Sequence, residues 1–91
     1  MSDLTSVPAF RPHYRFQWEP AQDAYVLLYP EGMIKLNGSA GEILACVDGE
    51  RSIDAIVELL RQKFPDADTI EGDTLEFFGV ANDKRWIEFT E

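Results

Sequence analysis

The sequence predicts an α+β domain in which a three-stranded antiparallel sheet comes first and three helices follow. Three observations carry that prediction. Short apolar runs separated by turn residues fill the first third of the chain. At Ser39 the apolar spacing changes to the helical i, i+3, i+4, i+7 pattern. From there on, capping residues and Gly or Pro stops punctuate the chain. Ninety-one residues make one domain, and 45% hydrophobic content suffices for a small core.

Residues 1–13 read as a flexible arm. Pro8 and Pro12 are extended or turn residues, and the segment has no periodicity. In "YRFQWE", Tyr14, Phe16 and Trp18 alternate with Arg15 and Gln17, the pattern of a half-buried strand. "PAQD" is a turn. "AYVLLY" is a continuous apolar run and reads as the central strand. "PEG" turns the chain again: Pro30 sets φ and Gly32 permits a positive φ. "MIKL" is the third strand, with Ile34 and Leu36 toward the core and Met33 and Lys35 on the opposite face. Short turns make these three strands an antiparallel meander.

Ala40, Ile43, Leu44 and Val47 define the apolar face of the first helix. Asn37 or Ser39 caps it, Ser39 with Glu42 having capping-box spacing, and Asp48-Gly49 stops it. Ser52 caps a second helix whose face is Ile53, Ile56, Val57 and Leu60, with Phe64 near its end and Pro65 as terminator. A third helix covers roughly residues 69–82, with Ile70, Thr74, Phe77, Phe78 and Ala81 on or near one face. Gly72 and Gly79 weaken it by up to about 1 kcal/mol each relative to Ala. "RWIEF" closes the chain as a short strand or as a tail that packs Trp86. The order is winged-helix-like with the sheet first, a fold type that fixes no function.

The chemistry-bearing residues are sparse. One Cys and one His cannot supply the roughly four ligands of a zinc site. Cys46 lies in an apolar helical pattern and reads as a buried, inert thiol. His13 sits in the polar lead-in, with no nucleophile pattern around it. Neither phosphate-cradling glycine motif occurs, so neither an enzyme nor a resident cofactor is expected. The net charge is −9 and the pI about 4.4. Asp66, Asp68, Glu71, Asp73 and Glu76 crowd one stretch without a cation. Such a surface repels nucleic acid and anionic membranes and attracts a basic partner. No apolar run reaches the roughly 18 residues of a membrane span, and the first residues lack a signal pattern, so a cytosolic protein is expected.

An antiparallel meander ends in unpaired N–H and C=O groups that invite another strand. "GMIKLN" carries a single charge and no proline, so an extended peptide can pair along it if it lies at an edge. The third helix then supplies the facing wall. Phe77 and Phe78 are adjacent and cannot point at one core spot; either both are core residues at different depths or one is left for a ligand. Asp73 and Glu76 place negative charge beside that wall.

The ordered run "LLYPEG…LN…EIL…DGE", with an Asp-started, Phe-rich helix and a late Trp, resembles the coenzyme PQQ synthesis protein D (PqqD) family from about Arg15 to Trp86. The resemblance implies a peptide chaperone: residues 14–91 form a single peptide-binding domain behind the arm. Such proteins bind the precursor peptide PqqA and present it to the radical SAM protein PqqE. That enzyme joins a Glu and a Tyr of the peptide on the way to pyrroloquinoline quinone. The resemblance also implies that the peptide adds to the third strand and lies against the third helix. Carried over, the peptide-binding residues are Met33, Ile34, Lys35 and Leu36 on the strand, and on the helix they are drawn from Asp73, Leu75, Phe77 and Phe78, the choice among them being open. Tyr29, Pro30, Glu31 and Gly32 match the family's turn and shape the groove entrance; Asp48 and Gly49 match its helix stop. Thr74, and Phe78 where leucine is usual, depart from the pattern in ways that bear on pocket shape.

Three rival readings remain open at this stage. A winged-helix DNA binder should carry a cationic recognition helix, whereas this third helix is acidic. A quinone-binding protein would stack Trp18, Tyr29 or Phe78 on a planar ring. A homodimer would pair the same strand edge with a second copy.

Overall fold

The computed structural model describes residues 4–90. Residues 1–3 and 91, which belong to the expected arm and to the expected domain's last position, lie outside them. Five strands and three helices follow in the order β1 (Val7–Phe10), β2 (Arg15–Glu19), β3 (Ala24–Tyr29), β4 (Gly32–Lys35), α1 (Gly38–Leu44), α2 (Ile53–Lys63), α3 (Ile70–Asp83) and β5 (Ile87–Thr90). The α+β class and the three-stranded antiparallel meander β2-β3-β4 are as expected, with β3 in the centre. The predicted third strand is therefore β4.

The arm is a correction. Residues Val7–Phe10 are not a free lead-in but a strand, paired antiparallel with β5 from Val7↔Thr90 to Phe10↔Ile87. Pro8 is accommodated because, among the described residues, β1 has a ladder on one side only. Upstream, the carbonyls of Leu4 and Ser6 accept hydrogen bonds from Asp54 N and Ile53 N, each at 2.9 Å. Ser52 Oγ accepts from Ala55 N at 3.2 Å. The first three amides of α2, which have no partner within the helix, are thus all satisfied. The closing "IEFT" is strand β5, while Trp86 precedes it and packs against the core.

Helices cover one face of the meander. Leu27 and Leu36 meet Leu44, Ile56, Phe78 and Ile87 in the core. Gly41 lets α1 lie directly on β3: a Cβ there would stand 2.8 Å from the Tyr25 ring. Asn37 is the residue that caps α1, its Oδ1 accepting from Ala40 N at 2.8 Å. That helix ends earlier than predicted, at Leu44. Cys46 N and Val47 N bond back to Ile43 O and Leu44 O in a tighter turn, so Val47 is past the helix. Gly49 then takes φ +80, and Asp48 Oδ1 accepts from Glu50 N and Arg51 N at 2.9 and 2.8 Å. Gly32, by contrast, does not use the positive φ open to it. Cys46 is buried as expected, and burial raises its thiol pKa. Among the described residues no helix is long and apolar enough to cross a membrane.

Candidate functional site

The meander has β4 at its edge, with β3 on one side and no strand of the described residues on the other. In an antiparallel pair, alternate residues turn their backbone groups toward and away from the partner. Leu36 N donates to Tyr25 O at 3.0 Å, which puts Leu36, Ile34 and Gly32 in the inward set. Met33 and Lys35 are the outward set. Their N–H and C=O groups face the open margin, while their side chains stand on the sheet face away from the helices. The Tyr29–Gly32 turn fixes this register, since Tyr29 pairs with Gly32.

Beside this margin runs a groove of about 440 Å³. Ile34, Leu36, Ala40 and Ile43 form its floor, and Asp73, Glu76, Phe77 and Val80 of α3 form the facing wall. Lys35, Asn37 and Ser39 lie along the rim and Trp86 closes one end. The wall follows from helical spacing. Residues 73, 76, 77 and 80 make one stripe of α3, and Thr74, Phe78 and Ala81 make the neighbouring stripe that is buried. Asp73 accepts a hydrogen bond from Thr69 Oγ1 at 2.8 Å, and it sits with Glu71 in the first turn, where the helix dipole favours negative charge.

The structure thus brings together Ile34, Lys35, Leu36, Asp73 and Phe77 of the expected binding residues. Met33 contributes backbone to the margin, with its side chain on the outer face and 44% exposed. Phe78 does not line the groove; it is fully buried and meets the Phe77 ring edge-on at 5.6 Å. Leu75 is half-buried against the core and is not part of the lining either. Tyr29, Pro30, Glu31 and Gly32 also lie off the groove, with the Tyr29 ring against Tyr14. Val80, 45% exposed, is a groove residue that the sequence reading missed, although it is i+3 from Phe77 and i+4 from Glu76. Trp18, Tyr29 and Phe78, considered as quinone-stacking rings, are not gathered around this groove: Trp18 packs edge-on against Tyr25 and Phe78 is in the core.

This α+β fold has a solved counterpart. The solution NMR structure of the PqqD truncation of Methylobacterium extorquens PqqCD superimposes with a TM-score of 0.78. It is 30% identical, over 97% of this chain and 95% of that one, and is described as a functional, stand-alone recognition element for ribosomally synthesized and post-translationally modified peptides. The fold is therefore that of a peptide recognition element. Within this class the chain belongs to the PqqD family, coenzyme PQQ synthesis protein D, whose family model matches residues 24–87. A "PqqA binding protein" of Azotobacter vinelandii is 60% identical over 93% of this chain and 92% of its own length. One from Pseudomonas aeruginosa is 57% identical over 97% of this chain and 96% of its own.

Proposed function

We propose that this chain binds the precursor peptide PqqA as an added strand on β4 and presents it to the radical SAM protein PqqE, itself catalysing nothing. The observation that carries the reading is the outward row of Met33 and Lys35 backbone groups beside an apolar groove. A peptide strand there gains backbone hydrogen bonds along the margin and buries alternate side chains against Ile34, Phe77 and Val80. The names of the relatives support PqqA as the ligand, and a cytosolic site of action fits a peptide taken directly from the ribosome.

Backbone NMR with synthetic PqqA tests the binding mode. Residues 33–36 and 73–80 should shift together and saturate at one stoichiometry. Shifts confined to other elements would overturn strand addition at β4. A turnover assay tests the role: PqqA cross-linking should require PqqE, and product formed by this domain alone would overturn the non-catalytic assignment. The same margin can pair with a second copy of the chain. Sedimentation with and without peptide distinguishes that outcome, because a dimer through β4 must dissociate as peptide binds.

A further inference from the structure

Beyond the C-terminal end of β4 the groove continues into a second hollow of about 430 Å³. It lies where the start of α1, the end of α2 and the start of α3 meet, and it shares Ser39, Ile43 and Asp73 with the groove. Ile43, Leu60, Phe64 and Ile70 make it predominantly apolar. Ile43 and Leu60 are floor, 8% and 3% exposed, whereas Phe64 stands 42% exposed. The polar groups at its mouth are already engaged. Glu42 is held by Lys63, Asp73 by Thr69, and Ser39 Oγ lies 3.5 Å from Asn37 Oδ1. What the hollow leaves unsatisfied is apolar surface, and its two carboxylates disfavour an anionic small molecule.

We propose that this hollow receives one large aliphatic or aromatic side chain of the bound peptide, from outside the stretch paired with β4, and that this anchor fixes the peptide's register. The inference rests on the strand-addition reading. Backbone pairing repeats every two residues, so along a four-residue strand it specifies register weakly. A deep apolar anchor past the strand end removes that degeneracy, and continuity with the groove makes the same peptide its occupant.

Calorimetry with synthetic PqqA, on the wild-type domain and on Gly38→Phe, Phe64→Ser and Lys35→Pro, provides the test. A Cβ at Gly38 meets nothing within 4 Å, so the new ring can enter the mouth of the hollow without displacing the core. Affinity should fall about tenfold to a hundredfold in Gly38→Phe, the equivalent of one buried apolar side chain. Phe64→Ser should lose less. An alanine scan of the peptide should find one large apolar residue whose removal weakens binding to wild type and adds nothing in Gly38→Phe.

The failures separate cleanly. If Lys35→Pro loses affinity while both hollow variants bind as wild type, the anchor is wrong and strand addition stands. If all three bind as wild type, strand addition itself fails and the anchor goes with it. Weakening in Gly38→Phe with no coupled peptide residue, or with a charged one, also overturns the anchor. Should Gly38→Phe melt early, Phe64→Ser, altered at an exposed position, carries the same scan.

Discussion

Two β units of this chain are equally short and end in opposite situations. β1 and β4 each span four residues. β1 closes on β5 across the length of the chain, and further hydrogen bonds hold that ribbon together and tie it to α2. Arg11 Nε donates to Ile87 O at 3.2 Å, Thr90 Oγ1 to Val7 O at 3.4 Å, and the carbonyls just upstream receive the first amides of α2. Among the described residues, β4 keeps one row of backbone groups without a strand partner. The described N-terminal strand pairs at the ribbon and not with β4.

The contrast is broken most directly at the closed unit. Ile87 is fully buried in β5. Ile87→Ala should cost about 2–5 kcal/mol of stability, because the cavity lies where ribbon, α3 and core meet. A denaturant midpoint that falls without a change in slope would register it. At the open unit the expectation reverses. Lys35→Pro removes an outward N–H and leaves the β3 ladder intact, so its stability cost should stay well below that of Ile87→Ala on an edge strand. Its effect on peptide affinity should reach about tenfold or more, since a buried acceptor of the peptide loses its donor. If Lys35→Pro destabilised the domain as much as Ile87→Ala, β4 would not be a free margin.

A milder effect is expected from charge at the groove wall. Asp73 and Glu76 stand on the groove wall and are exposed. Glu76→Gln should weaken binding of a peptide with basic residues by a few-fold at low salt. The difference should fade toward roughly 1 M salt, where the Debye length is about 3 Å. The thermal midpoint should barely move.

The two units also differ in how well the sequence announces them. The meander is legible because its turns and its alternation agree, and β4 pairs in the register that the Pro30 turn imposes. β1 is not legible: Pro8 interrupts any alternation, and its partner lies at the far end of the chain, where no local pattern reports it. On α3 the difficulty is of another kind. Residues 74, 78 and 81 form one helical stripe and 73, 76, 77 and 80 form the next, and both contain apolar residues. Periodicity identifies two candidate faces without saying which one the rest of the fold will cover. Hence Phe78, read as a binding residue, is core, and Val80 was overlooked. Gly49 and Gly32 make the same point for turns. Both can take positive φ, and only at Gly49 does the backbone path require it.

The smallest expected effect lies on the closed side. The Asp48 turn links α1 to the capped start of α2, and a Cβ on Gly49 would come within 3.9 Å of Ala9 in β1. The Asp48 carboxylate accepts amide hydrogen bonds from Arg51 and Glu50, and these hold its pKa below the ordinary 3.8. A carboxyl with a depressed folded value contributes its full stabilisation above the unfolded value and loses it as pH falls through the folded one. Asp48→Asn keeps an acceptor oxygen but removes the charge. The wild type should melt slightly higher than the variant, by a margin that is constant from about pH 7 to about pH 5 and shrinks below the ordinary 3.8. Peptide affinity should be unchanged throughout, because this turn belongs to the ribbon's side of the molecule and not to the groove. A loss of affinity in Asp48→Asn would mean that the closed and open units are coupled, and the division drawn between them would have to be given up.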